Sequence, residues 1–316
     1  MVTVGVDLGG TNVQTIVLGD DDERLGWSKM KTPPTGDRAT VLDVLDAGIH
    51  AALGDAGLVL DDVTQVGIGT PGVVIDGTVG GASNVPGWFE RFSLREGLSS
   101  KIGKPVRVAN DVTAAAAAES KFGAARGFQQ ALVVFVGTGV GAGLVIDGKP
   151  YEGALGGAGE FGHTVVQLGG AVCPCGRRGC VEAYAGRRAM EMAADRAVAA
   201  GRETVLFSVQ DDKGKARITS GVVKEALERG DELTADLVDG AVEALGAGIA
   251  SAVNLLDVEV VVIGGGLSDK LGEPFLRNIE AAMVPHLFLV PPKVQVAAAE
   301  LGDEGGALGA AVIARD

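Results

Sequence analysis

The sequence predicts an α/β protein with mixed sheets, built as two related domains facing a cleft. Three observations carry this expectation. Apolar, β-branched runs alternate with segments of helical period. Two stretches share one scheme of strand, glycine-and-threonine turn and second strand: VTVGVDLGGTNVQTIVL at 2–18 and ALVVFVGTGVGAGLVIDG at 131–148. A third apolar strand, in VEVVVIGGGLSDK at 258–270, also runs into glycines, where α/β proteins place ligands.

Taken in order, residues 2–8 and 13–18 read as strands joined by GGTN, and helical patterns follow at about 37–56 and 112–122, the latter after a strand ending at Ala109. Further helices are expected near 186–200, 220–228, 232–254, 273–282 and 303–314. The charged segment DDKGKARITSG at 211–221 reads as a surface loop. No linker rich in Pro, Ser or Gly separates independent modules.

Composition narrows the function. A chain of 316 residues with 47% hydrophobic and 22% charged residues is expected to fold around a sizeable core. Its net charge of -14 argues against a nucleic-acid partner, because phosphate backbones are held by an excess of Lys and Arg. An anionic ligand would therefore have to be held by local backbone N–H groups, helix N-termini and a bound cation. The start MVTVGVDLGG lacks the pattern of a signal peptide, and no apolar run is long enough to span a bilayer, so a cytoplasmic protein without a membrane partner is expected. All three cysteines, Cys173, Cys175 and Cys180, fall within CPCGRRGC, which favours metal ligation over a disulfide framework.

Several stretches carry chemistry. In DLGGTN, Gly9 and Gly10 let backbone approach an anion, Thr11 offers a hydroxyl and Asp7 can hold a hydrated Mg²⁺, although two glycines also suit a plain hairpin turn. GTGVGAG, with Gly137, Thr138 and Gly139, repeats that logic, and GGGLS follows at 264–268. Three such turns point to a nucleotide, yet none is a Walker A or a dinucleotide fingerprint. In VRVANDVT, Asp111 stands at a strand-to-helix junction, either as an N-cap or as a general base for a hydroxyl. SNVPGW at 83–88 suits a sugar pocket or an ordinary surface loop. Cys173, Cys175 and Cys180 with His163 make a Cys₃His set, the composition of a structural tetrahedral zinc site.

Together, DLGGTN, ND before an alanine-rich helix, GTGVGAG, GEFGH, CPCGRRGCVEAYAG, GGGLS and LGDEGGALGAA resemble the motifs of the ROK family of bacterial sugar kinases and repressors. Within the family the resemblance is strongest to ATP-dependent glucokinases. It implies an actin-like (ribonuclease H-like) two-domain fold with an interdomain cleft: residues 1–111 plus 303–316 as the smaller domain and 112–302 as the larger, zinc-bearing one. It also implies Asp111 as the base for the sugar's 6-hydroxyl, with Asn84, Asn110, Glu160, His163 and Glu182 binding sugar hydroxyls. The Asp7–Thr11 turn and Thr138 would hold phosphates, and Gly265 and Gly266 would lie near the adenosine. Asn12 stands where a lysine is common in the family.

The implied ligands are a hexose, ATP, Mg²⁺ and a structural Zn²⁺, and the implied assembly is a homodimer or homotetramer. Because zinc would occupy one ring nitrogen of His163, the other is expected to donate to a sugar hydroxyl. N-acetylglucosamine or N-acetylmannosamine kinase activity and non-catalytic sugar sensing are the competing readings, and polyphosphate is an alternative donor. A repressor is disfavoured, since the phosphate hairpin begins at Val4 and leaves no place before it for a DNA-binding helix pair.

Overall fold

Along the first strand, β1 (Val2–Leu8), Val4, Val6 and Leu8 alternate with Thr3, Gly5 and Asp7, so the period of two sends an apolar set one way and Asp7 the other. In this computed structural model, which describes residues 1–34, 37–81 and 90–315, β2 (Asn12–Leu18) and β3 (Arg24–Lys31) continue an antiparallel meander. Helix α1 (Arg38–Asp55) then leads to β4 (Val63–Thr70), parallel to β1. A small antiparallel sheet of β5 (Val73–Ile75), β6 (Thr78–Gly80) and β7 (Phe92–Ser93) precedes α2 (Leu94–Ile102), β8 (Val106–Asn110) and α3 (Asp111–Phe122).

The second large sheet holds β9 (Ala131–Val136), β10 (Val140–Ile146) and β11 (Lys149–Tyr151). The short α4 (Glu182–Ala185) is followed by α5 (Arg187–Ala199), α6 (Leu206–Asp212), α7 (Ser220–Glu228) and α8 (Glu232–Leu256). Then come β12 (Val260–Gly264), α9 (Gly266–Leu271), α10 (Glu273–Met283), β13 (Gln295–Ala298) and the closing α11 (Gly305–Arg315). Strand order is β3-β2-β1-β4-β8 in one sheet and β11-β10-β9-β12-β13 in the other. Each is a third-second-first-fourth-fifth arrangement, with the last two strands joined in parallel to the first. The two similar hairpins in the sequence are thus the starts of two sheets of one topology.

The chain divides into two compact units, residues 1–129, 143–159 and 301–316, and residues 130–142 and 160–300. The division expected from sequence, 1–111 plus 303–316 against 112–302, differs in assigning α3 and 143–159 to the other part. The reason is close backbone contact: a Cβ on Gly309 of α11 would lie 1.6 Å from Ala114 O of α3, and one on Gly143 would lie 2.4 Å from Ala116 Cβ. Helix α3 is therefore seated on α11.

In the first unit, Val4, Val6 and Leu8 meet Val41, Leu45 and Ile49 of α1 and Leu94 and Leu98 of α2. On the opposite face, Gly5 and Gly67 let α11 lie against the sheet, since Cβ atoms there would stand 2.0 Å from Ala307 O and 1.8 Å from Ala310 O. That face also carries Asp7. Among the described residues no helix is long and apolar enough to cross a membrane.

Candidate functional site

Asp7, the penultimate residue of β1, lies on the face that α11 covers, and Gly306 makes room for it: a Cβ there would lie 2.7 Å from Asp7 Cγ. The next residues form a tight turn, in which Gly9 N–H donates to Asn12 O at 3.0 Å. Thr32 braces it, its hydroxyl donating to Gly9 O at 2.6 Å and its N–H to Thr11 O at 3.0 Å. Gly10 and Thr11 are exposed at the tip, and Asn12 Oδ1 accepts from Lys31 Nζ at 3.0 Å. Burial pushes the Asp7 carboxyl up to about 7, helped by the negative charges of Asp111 and Asp303 and opposed by Lys29. Two carboxylates thus act on Asp7, whose charge a cation would favour.

At the end of β8 the capping role falls to Asn110. Its Oδ1 accepts from Val112 N at 2.9 Å and Thr113 N at 3.4 Å, while its Nδ2 donates to Gly72 O at 3.0 Å. Asp111 is the first helical residue, with Oδ1 2.9 Å from Val112 N. Of the two sequence readings of Asp111, the N-cap is corrected: a carboxamide does that work, because only the residue before the helical backbone can turn its side chain onto the N2 and N3 amides. A carboxylate at the first turn is also favoured by the helix dipole.

In the second unit, the turn after β9 is closed by Gly137 N–H donating to Gly139 O at 2.9 Å, which leaves Thr138 exposed. Helix α5 begins on this turn: Arg187 N donates to Gly137 O and Arg188 N to Thr138 O, both at 3.1 Å. At the end of β12, Gly265 has φ +89° and runs so near β9 that a Cβ would lie 2.7 Å from Val136 N. Any other residue would be strained and blocked there. Gly266, exposed, opens α9.

Glu182 joins this turn to the cysteine segment. Its Oε2 accepts from Val140 N at 2.9 Å and lies where a Cβ on Gly139 would collide, at 2.3 Å. Its Oε1 lies 3.8 Å from Cys173 Sγ. Cys173 Sγ is 3.9 Å from His163 Nδ1, and Cys175 and Cys180 are 3.9 Å apart at sulfur. One ligand atom from each of His163, Cys173, Cys175 and Cys180 can be chosen so that all lie within 4.8 Å of one another. Gly176 and Gly179, at φ +86° and +78°, curl the chain between them. Burial pushes the Cys173 thiol up to about 12 and raises Cys180, whereas at Cys175 hydrogen bonds from Arg177 and the neighbouring thiols outweigh burial and lower it.

His163 sits in a short 3-10 turn, and its N–H donates to Glu160 O at 3.0 Å. With Nδ1 toward sulfur, Nε2 faces the exposed Glu160, 3.9 Å from Oε2. The structure therefore brings Asp7, the Gly9–Asn12 turn, Asn110 and Asp111 together in the first unit. In the second it gathers Glu160, His163, Glu182 and the three cysteines, and Glu182 links these to Gly137–Gly139, which lies beside Gly265 and Gly266. Asn84 and the SNVPGW segment lie outside the described residues. Sequence reading overlooked Asp303, although it is in the quoted LGDEGG, and Arg187 and Ser220, whose partners are distant in the chain. The expected 211–221 loop is exposed only to Arg217, since Ile218 and Ser220 are buried.

Comparison with known proteins identifies the family and the fold. The ROK family profile matches residues 3–316. The glucokinase of Streptomyces coelicolor is 32% identical over 100% of this chain and 98% of its own length. The ROK hexokinase of Thermus thermophilus superposes with a TM-score of 0.85 at 33% identity, covering 100% of this chain and 98% of that one. The ROK family glucokinase of Streptomyces griseus, solved with glucose and AMPPNP, gives a TM-score of 0.81 at 35% identity, covering 100% and 99%. The fold is accordingly the actin-like one of these kinases. The chain belongs to the ROK family, among its sugar kinases.

Proposed function

We propose that the protein is an ATP-dependent hexokinase that phosphorylates the 6-hydroxyl of glucose, giving glucose 6-phosphate, with Asp111 as general base. The observation that carries this reading is the division of roles at the β8–α3 junction: Asn110 satisfies the cap, so Asp111 is not required for it. The influence of Asp111 on Asp7 supports a shared anionic centre.

Asn84, Asn110, Glu160, His163 and Glu182 bind and orient the sugar in this reading. Asp111 accepts the 6-hydroxyl proton as the oxygen attacks the terminal phosphorus in line. Backbone N–H groups at Gly10–Thr11 and Thr138–Gly139, with the Thr11 and Thr138 hydroxyls, cradle the phosphates, while Gly265 and Gly266 admit the adenosine. Asp7 fits a hydrated Mg²⁺, being a buried carboxylate in the field of two others. That ion supplies charge neutralisation on the phosphoryl oxygens.

His163, Cys173, Cys175 and Cys180 fit Zn²⁺ by donor type and spacing. Four protein donors would fill a tetrahedral shell, so a bound zinc would serve to fix the His163 ring. His163 Nε2–H is then the group that donates toward sugar. We place the enzyme in the cytoplasm, as a homodimer or homotetramer.

A coupled ADP-release assay across glucose, mannose, N-acetylglucosamine, N-acetylmannosamine and N-acetylgalactosamine tests the assignment. Highest kcat/KM on glucose is expected. Preference for an N-acetylhexosamine would reassign the substrate, and no ADP release with any sugar would leave a sensor. A parallel arm with polyphosphate tests the donor.

A further inference from the structure

Arg187, the first residue of α5, extends its guanidinium to two other segments of its unit. Nη2 donates to Thr138 Oγ1 at 2.9 Å and Nη1 to Ser220 Oγ at 2.6 Å. The same Nη1 flanks Gly266, where a Cβ would lie 3.5 Å from it. Arg187 therefore bonds to the Gly137–Gly139 turn and stands beside the Gly265–Gly266 turn, although 49 and 79 positions separate it from Thr138 and Gly266.

Its electrostatics are unusual for a structural arginine. Both partners are neutral hydroxyls, and among the described residues no carboxylate forms an ion pair with it. Nε is buried without a hydrogen-bond partner, and burial lowers the guanidinium's pKa. A partly buried cation is ordinarily paired, and one left with neutral partners is suited to an incoming anion. The chain's net charge of -14 makes such a local cation more valuable for holding a polyanion.

The hydrogen-bond directions add a second point. Because Nη2–H donates to Thr138 Oγ1, that oxygen acts as acceptor on the guanidinium side. Its own proton is then directed elsewhere, and Thr138 is exposed. The hydroxyl is set as a donor, the polarity that a phosphate oxygen requires.

We propose that Arg187 is a binding residue for the phosphate chain of the phosphoryl donor, meeting its charge directly and orienting the Thr138 hydroxyl to donate to it. This rests on the kinase reading above and adds to it a residue outside the glycine turns. Arginine suits the place better than lysine, because its planar fork serves two acceptors and an anion at once.

The test combines kinetics with binding. In Arg187→Gln, KM for ATP should rise about ten- to a hundredfold while KM for the sugar stays within about twofold. Calorimetry without sugar should show ATP and tripolyphosphate weakened far more than AMP. Arg187→Lys should restore part of the affinity. An unchanged KM for ATP in folded Arg187→Gln, or equal weakening of ATP and AMP, overturns the proposal. If Arg187→Gln does not fold, Arg187→Lys decides: its KM for ATP should rise about threefold or more with sugar KM unchanged, and an unaltered value overturns the proposal. The calorimetric arm needs no turnover. Loss of ATP affinity on substitution, in a protein that phosphorylates no sugar, defeats the kinase reading alone; sugar turnover with an unaltered KM for ATP defeats the Arg187 assignment alone.

Discussion

His163 and Cys173 face each other through Nδ1 and Sγ, 3.9 Å apart, and this fixes which ring nitrogen remains for other work. Nε2 looks the opposite way, toward Glu160. One imidazole therefore links the cysteine segment to the Glu160 side chain, and in the proposed reading it would also carry sugar recognition.

The first prediction concerns that shared ring. The purified protein should contain about one zinc per chain by elemental analysis, as a four-donor site implies. Chelation, or Cys175→Ser, should lower the melting temperature and weaken glucose binding together. Sugar affinity that survives complete zinc loss with the fold intact would show that His163 does not couple the two.

Asp111→Asn should reduce kcat by about 10²–10⁴-fold, the usual range for loss of a general base. Glucose affinity, measured by calorimetry, should remain within a few-fold. Asn110 still caps α3 in the variant, so the melting temperature should change little. Undiminished turnover would remove Asp111 from the mechanism.

Asp7 makes the metal-free protein pH-sensitive. Its folded pKa, raised to about 7 first by burial and then by Asp111 and Asp303, lies above the unfolded value of about 4. The folded state therefore holds the proton more tightly, and the associated stability, present below about pH 4, is lost as pH rises through 7. Thermal unfolding of the nucleotide-free, metal-free protein should show this decline, and Asp7→Asn should flatten it while abolishing turnover. Equal slopes in the two proteins would contradict the burial argument.

Gly309→Ala tests the contact between α11 and α3. A methyl there would meet Ala114 O at 1.6 Å, which only helix displacement can relieve. A loss of about 3 kcal/mol or more in denaturant unfolding is expected, at the upper end of overpacking costs. Gly54→Ala is the control, since nothing lies within 4 Å of its added Cβ, and it should be neutral or slightly stabilising.

Much of the secondary structure was readable because its signals are local. The helix expected at 37–56 is Arg38–Asp55, and that expected at 220–228 is Ser220–Glu228. Strand β3 escaped notice because its pattern is inverted: Gly26 and Ser28 face inward, while Leu25 and Trp27 are exposed. Small inward residues are needed where α1 lies close, since a Cβ on Gly26 would stand 2.2 Å from Ala52 O. Strand β4 is similarly interrupted, with Gly67 pressed against α11. Hydropathy cannot report a face selected for smallness.

The sequence by itself determined the family, the alternation of strands and helices, the repeated hairpin and the cysteine-histidine donor set. These reside in short motifs whose spacing reflects turn geometry and side-chain period, both set within a few residues. Tertiary structure alone decided that Asn110 rather than Asp111 caps α3, that Asp7 shares its field with Asp303, and that Arg187 reaches Thr138, Ser220 and Gly266. The physical reason differs in kind: a pKa shift or a bridging guanidinium depends on which distant charges and hydroxyls the folded backbone brings within a few ångströms, and no local pattern records that.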